Sequence, residues 1–209
     1  FRMDAEVIRD KALYSGGILV QQLGGRGFKP YQPDGLWEGA SDPASSTHTY
    51  EQAHGMAIYR RSMYLFWKRT APPPSMLLLD APLRDTCVVR RSTTNTPLQA
   101  LTTENEPAFL EASRTMAQRI LSQRSDDVSR LKLAYELTVA RAPKPDESDL
   151  LMKGLSYYRK KYSADPASAK KLISIGEAPV AKGISAPEQA SWMIICSTLM
   201  NTDEFLTIH

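Results

Sequence analysis

The sequence predicts a mainly helical protein with a small β element, in which a carboxy-terminal helical bundle packs on a two-stranded ribbon or small sheet. Three observations lead to this fold class. After Asn95 the apolar residues recur at helical spacing, and several amino-terminal caps are present. From Tyr59 to Arg69 apolar and polar residues alternate, as is typical of a strand. The chain has 209 residues, 42% of them hydrophobic, so it can bury a full core without metals or disulfides.

Residues 1–95 are expected to hold a helix, a long loop and the ribbon. Arg2 to Leu23 shows near-helical apolar spacing, although Gly16 and Gly17 weaken its middle. Prolines and glycines predict an irregular segment from Phe28 to Gly55, and a loop of this length is uncommon unless it is functional or mobile. Tyr59–Arg69 and Thr86–Arg91 are then predicted to pair as the ribbon.

Residues 96–209 are expected to form the helical bundle, within a single domain spanning 1–209. Thr96 and Gln99 make a capping box at the start of the first helix. Further helices are predicted after Pro107, after Ser125-Asp126-Asp127, and from Asp146 to Tyr162. Ser185 is predicted to open a last helix with a second capping box. The inward face of that helix consists of residues spaced i, i+3, i+4 and i+7: Trp192, Ile195, Cys196 and Leu199.

The chain ends and the cysteines bear on its origin. Phe1-Arg2-Met3-Asp4 has neither the basic nor the apolar region of a signal peptide, so we expect the chain to be the carboxy-terminal piece of a longer protein. No apolar run approaches the roughly 20 residues that span a bilayer. Cys87 and Cys196 are too few for a disulfide framework. They are either two buried apolar residues or, in an exported protein, one bridge.

A basic segment from Tyr59 to Arg91 is the strongest candidate for a functional site. It holds seven Lys or Arg residues and two acids, whereas the whole chain has a net charge of +3. Guanidinium groups match carboxylate, sulfate and phosphate geometry, which makes this segment a candidate anion-binding patch. The alternative is that these arginines pair with acids of the helical half. The candidate anion-binding side chains, called the arginine patch below, are Arg60, Arg61, Arg69, Arg90 and Arg91.

Several other side chains are candidate ligands or catalysts. Asn95 precedes a helix start whose free N–H groups suit an oxyanion beside the arginine patch, but we favour the alternative of a simple capped helix start. Asp80 and Asp85 are weak candidates for an acid/base pair, and the alternative for Asp80 is a turn residue paired with an arginine. His48 and His54 match no metal-ligand spacing, so no metal site is predicted. No motif for binding nucleic acid is present.

Five ordered motifs are similar to those of the planctomycete surface-cytochrome-associated domain of unknown function. They are Arg2-Met3-Asp4-Ala5-Glu6, Tyr59-Arg60-Arg61-Ser62-Met63-Tyr64, Asp80-Ala81-Pro82, the signature from Arg90 to Leu101, and Asn201-Thr202-Asp203-Glu204-Phe205. The resemblance implies an exported, multidomain parent in which a cytochrome c-like segment often precedes this domain. It supplies no catalytic residues. The haem-attachment motif C-x-x-C-H is absent, so haem is expected elsewhere in the parent rather than in this segment.

Two functions follow from these observations. The first is a non-catalytic binding or assembly module of an exported protein, in which the arginine patch docks an anionic glycan or the parent's cytochrome c-like segment. The second is an enzyme acting on extracellular polysaccharide, with Asp80 or Asp85 as the catalytic carboxylate and arginines as substrate clamps.

Overall fold

The computed structural model describes residues 1–45 and 48–208 and confirms that the protein is mainly helical. Ser46 and Thr47, within the predicted long loop, lie outside the described residues. No helix of the described part is both long and apolar enough to cross a membrane. The α-helices of the described part are α1 Ala5–Gly16, α2 Leu36–Gly39, α3 Pro74–Leu78, α4 Pro97–Asn105, α5 Pro107–Gln123, α6 Asp127–Val139, α7 Pro145–Ala164, α8 Pro166–Ile173, α9 Ala186–Met200 and α10 Asp203–Leu206.

The core lies where α5 and α9 pack along each other, with α1 on one side and α7 and α8 on the other. Phe109 and Met116 of α5 and Trp192 of α9 are almost completely buried. Such side chains each stabilise the fold by about 1.5–3 kcal/mol through burial. Because α1 packs directly on α5, the first helix of the chain shares one hydrophobic core with the carboxy-terminal helices.

The first helix is shorter than predicted, since α1 ends at Gly16 rather than near Leu23. Gly17 takes the left-handed conformation (φ 76°), and its N–H donates to the carbonyls of Leu13 and Tyr14. This is a glycine C-cap. At Gly16 a Cβ atom would lie 2.7 Å from the backbone oxygen of Ala112 in α5. The glycine pair therefore ends the helix and permits close packing, instead of weakening the middle of a longer helix.

The predicted ribbon does not form. Tyr59–Arg69 contains parts of two 3₁₀ helices, Gly55–Tyr59 and Ser62–Tyr64, and meets residues 20 and 28 only through isolated parallel bridges. Thr86–Arg91 forms no strand. The guanidinium of Arg9 explains why Tyr59–Arg69 does not form a strand, because it binds the carbonyls of Ile58 and Arg60 at 2.7 and 3.1 Å. Those are acceptors that a neighbouring strand would otherwise use.

The predicted long loop is organised around a buried tryptophan. Trp37 of α2 is 2% exposed and packs against the rings of Tyr50 and Phe66. The loop end is tied to the helical half by Glu177, whose carboxylate lies 2.6 Å from Nδ1 of His54 and accepts the N–H of Gly55 at 2.9 Å. His54 is thus engaged with a carboxylate.

Most of the predicted helix starts are confirmed, and one cap is wrong. The capping box of Thr96 and Gln99 is present in both directions, and Asp126 caps α6 by accepting the N–H of Ser129 at 2.9 Å. Ser185 precedes α9 as predicted, but its side chain makes no capping hydrogen bond. The expected box fails because Glu188, its other half, instead binds Arg159 of α7.

Candidate functional site

The arginine patch predicted from the sequence divides into buried and exposed members. Arg60 is 8% exposed, and its guanidinium donates to the backbone oxygens of Gln22, Gly24 and Arg26. It also lies over the ring of Tyr64, 4.3 Å from the centroid. Three hydrogen bonds from Nη1 and Nη2 of Arg60 to these carbonyls hold the glycine-rich turn in place. Arg60 is therefore a structural residue in this geometry.

Two patch members are paired with acids of α1. Arg61 lies 3.4 Å from Asp10, and Arg91 lies 2.6 Å from Glu6. Burial alone would raise the pKa of Glu6, but the hydrogen bonds and charge of Arg91 hold that pKa below its ordinary value. Arg61 and Arg91 thus form ion pairs, as the alternative interpretation expects. Their partners lie in α1, however, and not in the helical half after residue 96.

Arg69 and Arg90 differ from the other patch members. Both are exposed, and within the described residues neither lies within ion-pair distance of a carboxylate. Three aromatic side chains of the basic segment make their contacts within the protein. Tyr59 donates to Glu111 at 2.8 Å, Tyr64 lies against Arg60, and Trp67 lies 4.6 Å from the guanidinium of Arg84.

Asp80 closes a loop of residues 80–94, called loop 80–94 below. Its carboxylate accepts the backbone N–H of Thr94 at 2.6 Å, the Thr94 hydroxyl at 2.8 Å and the side chain of Gln99 at 3.1 Å. Asp80 itself has φ 67°, a left-handed conformation that Asp tolerates better than most residues. The other candidate carboxylate, Asp85, is exposed on the same loop. Asp80 therefore ties the two ends of loop 80–94 together.

The second end of loop 80–94 is held by Arg2. Its Nη1 atom donates to the carbonyl of Thr94 at 3.1 Å and to Oδ1 of Asn95 at 3.3 Å. Asn95 therefore contacts a cation directly. The backbone of Thr96 is committed to the capping box of α4. This arrangement matches the structural interpretation of the helix start.

The tip of loop 80–94 carries apolar side chains into solvent. Leu83 is 53% exposed, Val88 is 50% exposed and Val89 is fully exposed. We call Leu83, Val88, Val89 and Arg90 the loop surface. It borders a cleft of about 620 Å³. The cleft is lined by residues from both chain ends, α1 and the loop, including Phe1, Arg2, Val7, Val89, Arg91 and Ile208.

Both cysteines are free, which excludes the bridge between them in this structure. Cys87 lies exposed within loop 80–94, and Cys196 is fully buried in α9. Burial raises the pKa of the Cys196 thiol far above its ordinary value. The interpretation as a small buried apolar residue thus describes Cys196 but not Cys87.

Sequence reasoning missed a cluster of buried charges beneath the long loop. Glu111 and Arg114 of α5 are at most 1% exposed and lie 3.5 Å apart. Glu111 also accepts hydrogen bonds from the hydroxyls of Tyr31 and Tyr59, and Arg114 donates to backbone oxygens at residues 178 and 179. The spacing of three residues between Glu111 and Arg114 is compatible with a helical ion pair. It could not predict that the pair is buried, because exposed ion pairs on helices have the same spacing.

Comparison with known proteins gives one match. No curated protein and no solved structure matches the chain. A family model described as PSD1, protein of unknown function (DUF1553), matches residues 1–155. That range includes α1, loop 80–94 and the α5 charge cluster, which together make up most of the features described above. The chain belongs to the DUF1553 family.

Proposed function

We propose that this DUF1553 domain is a non-catalytic binding module that docks an acidic protein surface on loop 80–94. The observation that carries the proposal is the pair of valines held in solvent beside Arg90 on a loop whose base is clamped by Asp80. Exposed apolar side chains that are rimmed by charge are typical of interaction sites. A loop fixed at its base also loses less conformational entropy on binding than a free loop.

The chemistry of the loop surface favours a protein partner over a glycan. Val88 and Val89 offer aliphatic contact area, whereas a glycan is usually held by polar groups and open aromatic faces. Arg90 supplies a positive charge for a carboxylate on the partner. The resemblance to the planctomycete surface-cytochrome-associated domain suggests the partner's identity. The proposed partner is the cytochrome c-like segment of the same exported parent. An anionic glycan is the alternative ligand.

The enzymatic alternative has less support from the geometry. A polysaccharide hydrolase needs a carboxylate that can reach the glycosidic bond. The Asp80 oxygens are instead bound by Thr94 and Gln99, and Asp85 is an exposed loop residue. The binding module is therefore the function that we carry forward.

The test is a calorimetric titration of the domain with the purified cytochrome c-like segment and, separately, with a polyuronate. Val89→Asp and Arg90→Glu should each weaken binding of the segment by about tenfold, equivalent to about 1.4 kcal/mol. The matched controls are Val128→Asp on α6 and Lys153→Glu on α7, which change an exposed valine and an exposed lysine away from loop 80–94. Raising the salt concentration should weaken binding further, because charge on the rim of an interface is screened.

Two results would contradict the proposal. Binding of the segment that is equally affected by the loop variants and by the controls would place the interface elsewhere. Binding of polyuronate without binding of the segment would make the partner a glycan. A visible absorption spectrum of the full-length parent, with and without dithionite, checks the haem assignment independently, since a Soret band that shifts on reduction identifies a cytochrome.

A further inference from the structure

A second cleft, separate from loop 80–94, lies between α3, α4 and the start of α5. Its volume is about 510 Å³, within the range of small-molecule sites. Most of its wall is apolar. The apolar lining residues are Pro33, Pro74, Leu78, Leu98, Leu101 and Pro107. Leu98 and Leu101 of α4 are each 52% exposed, so part of this wall faces solvent.

One charged side chain stands among the residues that line this cleft, the carboxylate of Glu106. Its Oε2 atom caps α5 by accepting the N–H groups of Ala108 and Phe109 at 2.9 and 3.3 Å. Its Oε1 atom accepts no hydrogen bond from the described residues. The carboxylate thus keeps one acceptor oxygen available to a ligand, at the edge of an apolar wall.

The charge of Glu106 is incompletely balanced by its neighbours. Burial raises the pKa of this carboxyl, while the charge of Arg9 on α1 and the two capping N–H groups lower it, and Glu111 on α5 raises it. Arg9 directs its N–H groups to the carbonyls of Ile58 and Arg60 and to a serine hydroxyl, rather than to Glu106. A cation placed at Oε1 would therefore satisfy a carboxylate that lacks a direct ionic partner.

We propose that this cleft binds a small primary amine with an apolar body. The ammonium group donates to Oε1 of Glu106, and the apolar body lies against Leu98 and Leu101. This site does not depend on the docking proposal, since the two surfaces share no residue.

The test uses three ligands that share a phenyl ring and a hydroxyl group but differ in the charge of their third group. They are 2-amino-1-phenylethanol, 1-phenyl-1,2-ethanediol and mandelate. Affinities are measured by chemical-shift titration of the ¹⁵N-labelled domain. We expect the amine to bind about tenfold more tightly than the diol, because a hydrogen bond between charged groups is stronger than a neutral one. Mandelate should bind most weakly.

Two variants test the residues. Glu106→Gln should remove the preference for the amine over the diol. Leu101→Ser should weaken the amine and the diol alike, whereas Leu150→Ser, which changes an exposed leucine on α7, should weaken neither. Because Glu106 also caps α5, circular dichroism must show that Glu106→Gln is folded. If it is not, the amine-to-diol ratio in the unmodified protein decides.

Equal affinities for the amine and the diol would overturn the proposal. So would binding of none of the three ligands, or shift changes that map away from α4 and the start of α5. An effect of Arg90→Glu on amine binding would show that the two sites are coupled, contrary to the separation described here.

Discussion

Replacing Gly16 with alanine should destabilise the protein by about 2 kcal/mol. The added Cβ would lie 2.6 Å from the Thr115 hydroxyl and 2.7 Å from the backbone oxygen of Ala112. The hydroxyl can rotate, but the carbonyl belongs to α5 and yields only if the two helices separate. Overpacking of this kind costs about 1–3 kcal/mol, and the better helix propensity of alanine offsets at most about 1 kcal/mol.

The assay is urea unfolding followed by circular dichroism at 222 nm, with Gly39→Ala as the matched control. Gly39 ends α2, has open space around its Cβ position and does not have a positive φ. Its replacement should leave stability unchanged or raise it by up to about 1 kcal/mol. If Gly16→Ala were as stable as the unmodified protein, with an unchanged denaturant slope, α1 and α5 would not approach as closely as the structure shows.

Three further predictions concern single side chains. Asp80→Asn should raise the amide exchange rate of Thr94 by about tenfold, because a charged acceptor becomes neutral, and an unchanged rate would deny the clamp. Ellman's reagent should titrate Cys87 in the folded protein but Cys196 only after unfolding, so two fast thiols would contradict the burial. A hydrogen bond from the Arg141 guanidinium lowers the pKa of Glu147 from 4.5 to about 2. Its contribution to stability is therefore present above pH 4.5 and lost as the pH falls toward 2. Glu147→Gln should make the free energy of unfolding less dependent on pH in acid-unfolding experiments. An unaltered pH dependence would show that the Arg141–Glu147 pair does not contribute to stability.

Sequence reasoning located the helices of the carboxy-terminal half because their signals are local. Thr96 and Asp126 cap helices through donors within three residues of themselves, and such pairs are visible in any short window. Ser185 shows the limit of this reasoning, because Arg159, a residue distant in the chain, takes the glutamate that a capping box requires.

The strand prediction failed for a long-range reason. The alternation from Tyr59 to Arg69 is real, but the Arg9 guanidinium from α1 occupies the carbonyls of Ile58 and Arg60, just before and within the start of that segment. Arg9, which is 49 to 53 residues away in sequence, thus competes with strand pairing. The spacing of apolar residues within the segment cannot predict such a distant contact.

The candidate site was predictable as a region but not in its parts. The basic segment contains Arg90, yet Arg60 and Arg90 look alike in sequence. Burial separates them, since one guanidinium faces backbone carbonyls and the other faces solvent. The Glu106 cleft had no signal in the sequence, because its walls come from segments as far apart as Tyr31 and Pro107.

The most direct test of the docking account is photo-crosslinking from Cys87 in the longer parent protein that the docking proposal assumes. A benzophenone maleimide on this exposed thiol samples the neighbourhood of Val88 and Val89, and Cys87→Ser is the labelling control. The account predicts crosslinks to an acidic surface of the cytochrome c-like segment, abolished by Arg90→Glu. Crosslinks confined to this domain itself would contradict it and leave loop 80–94 without a partner.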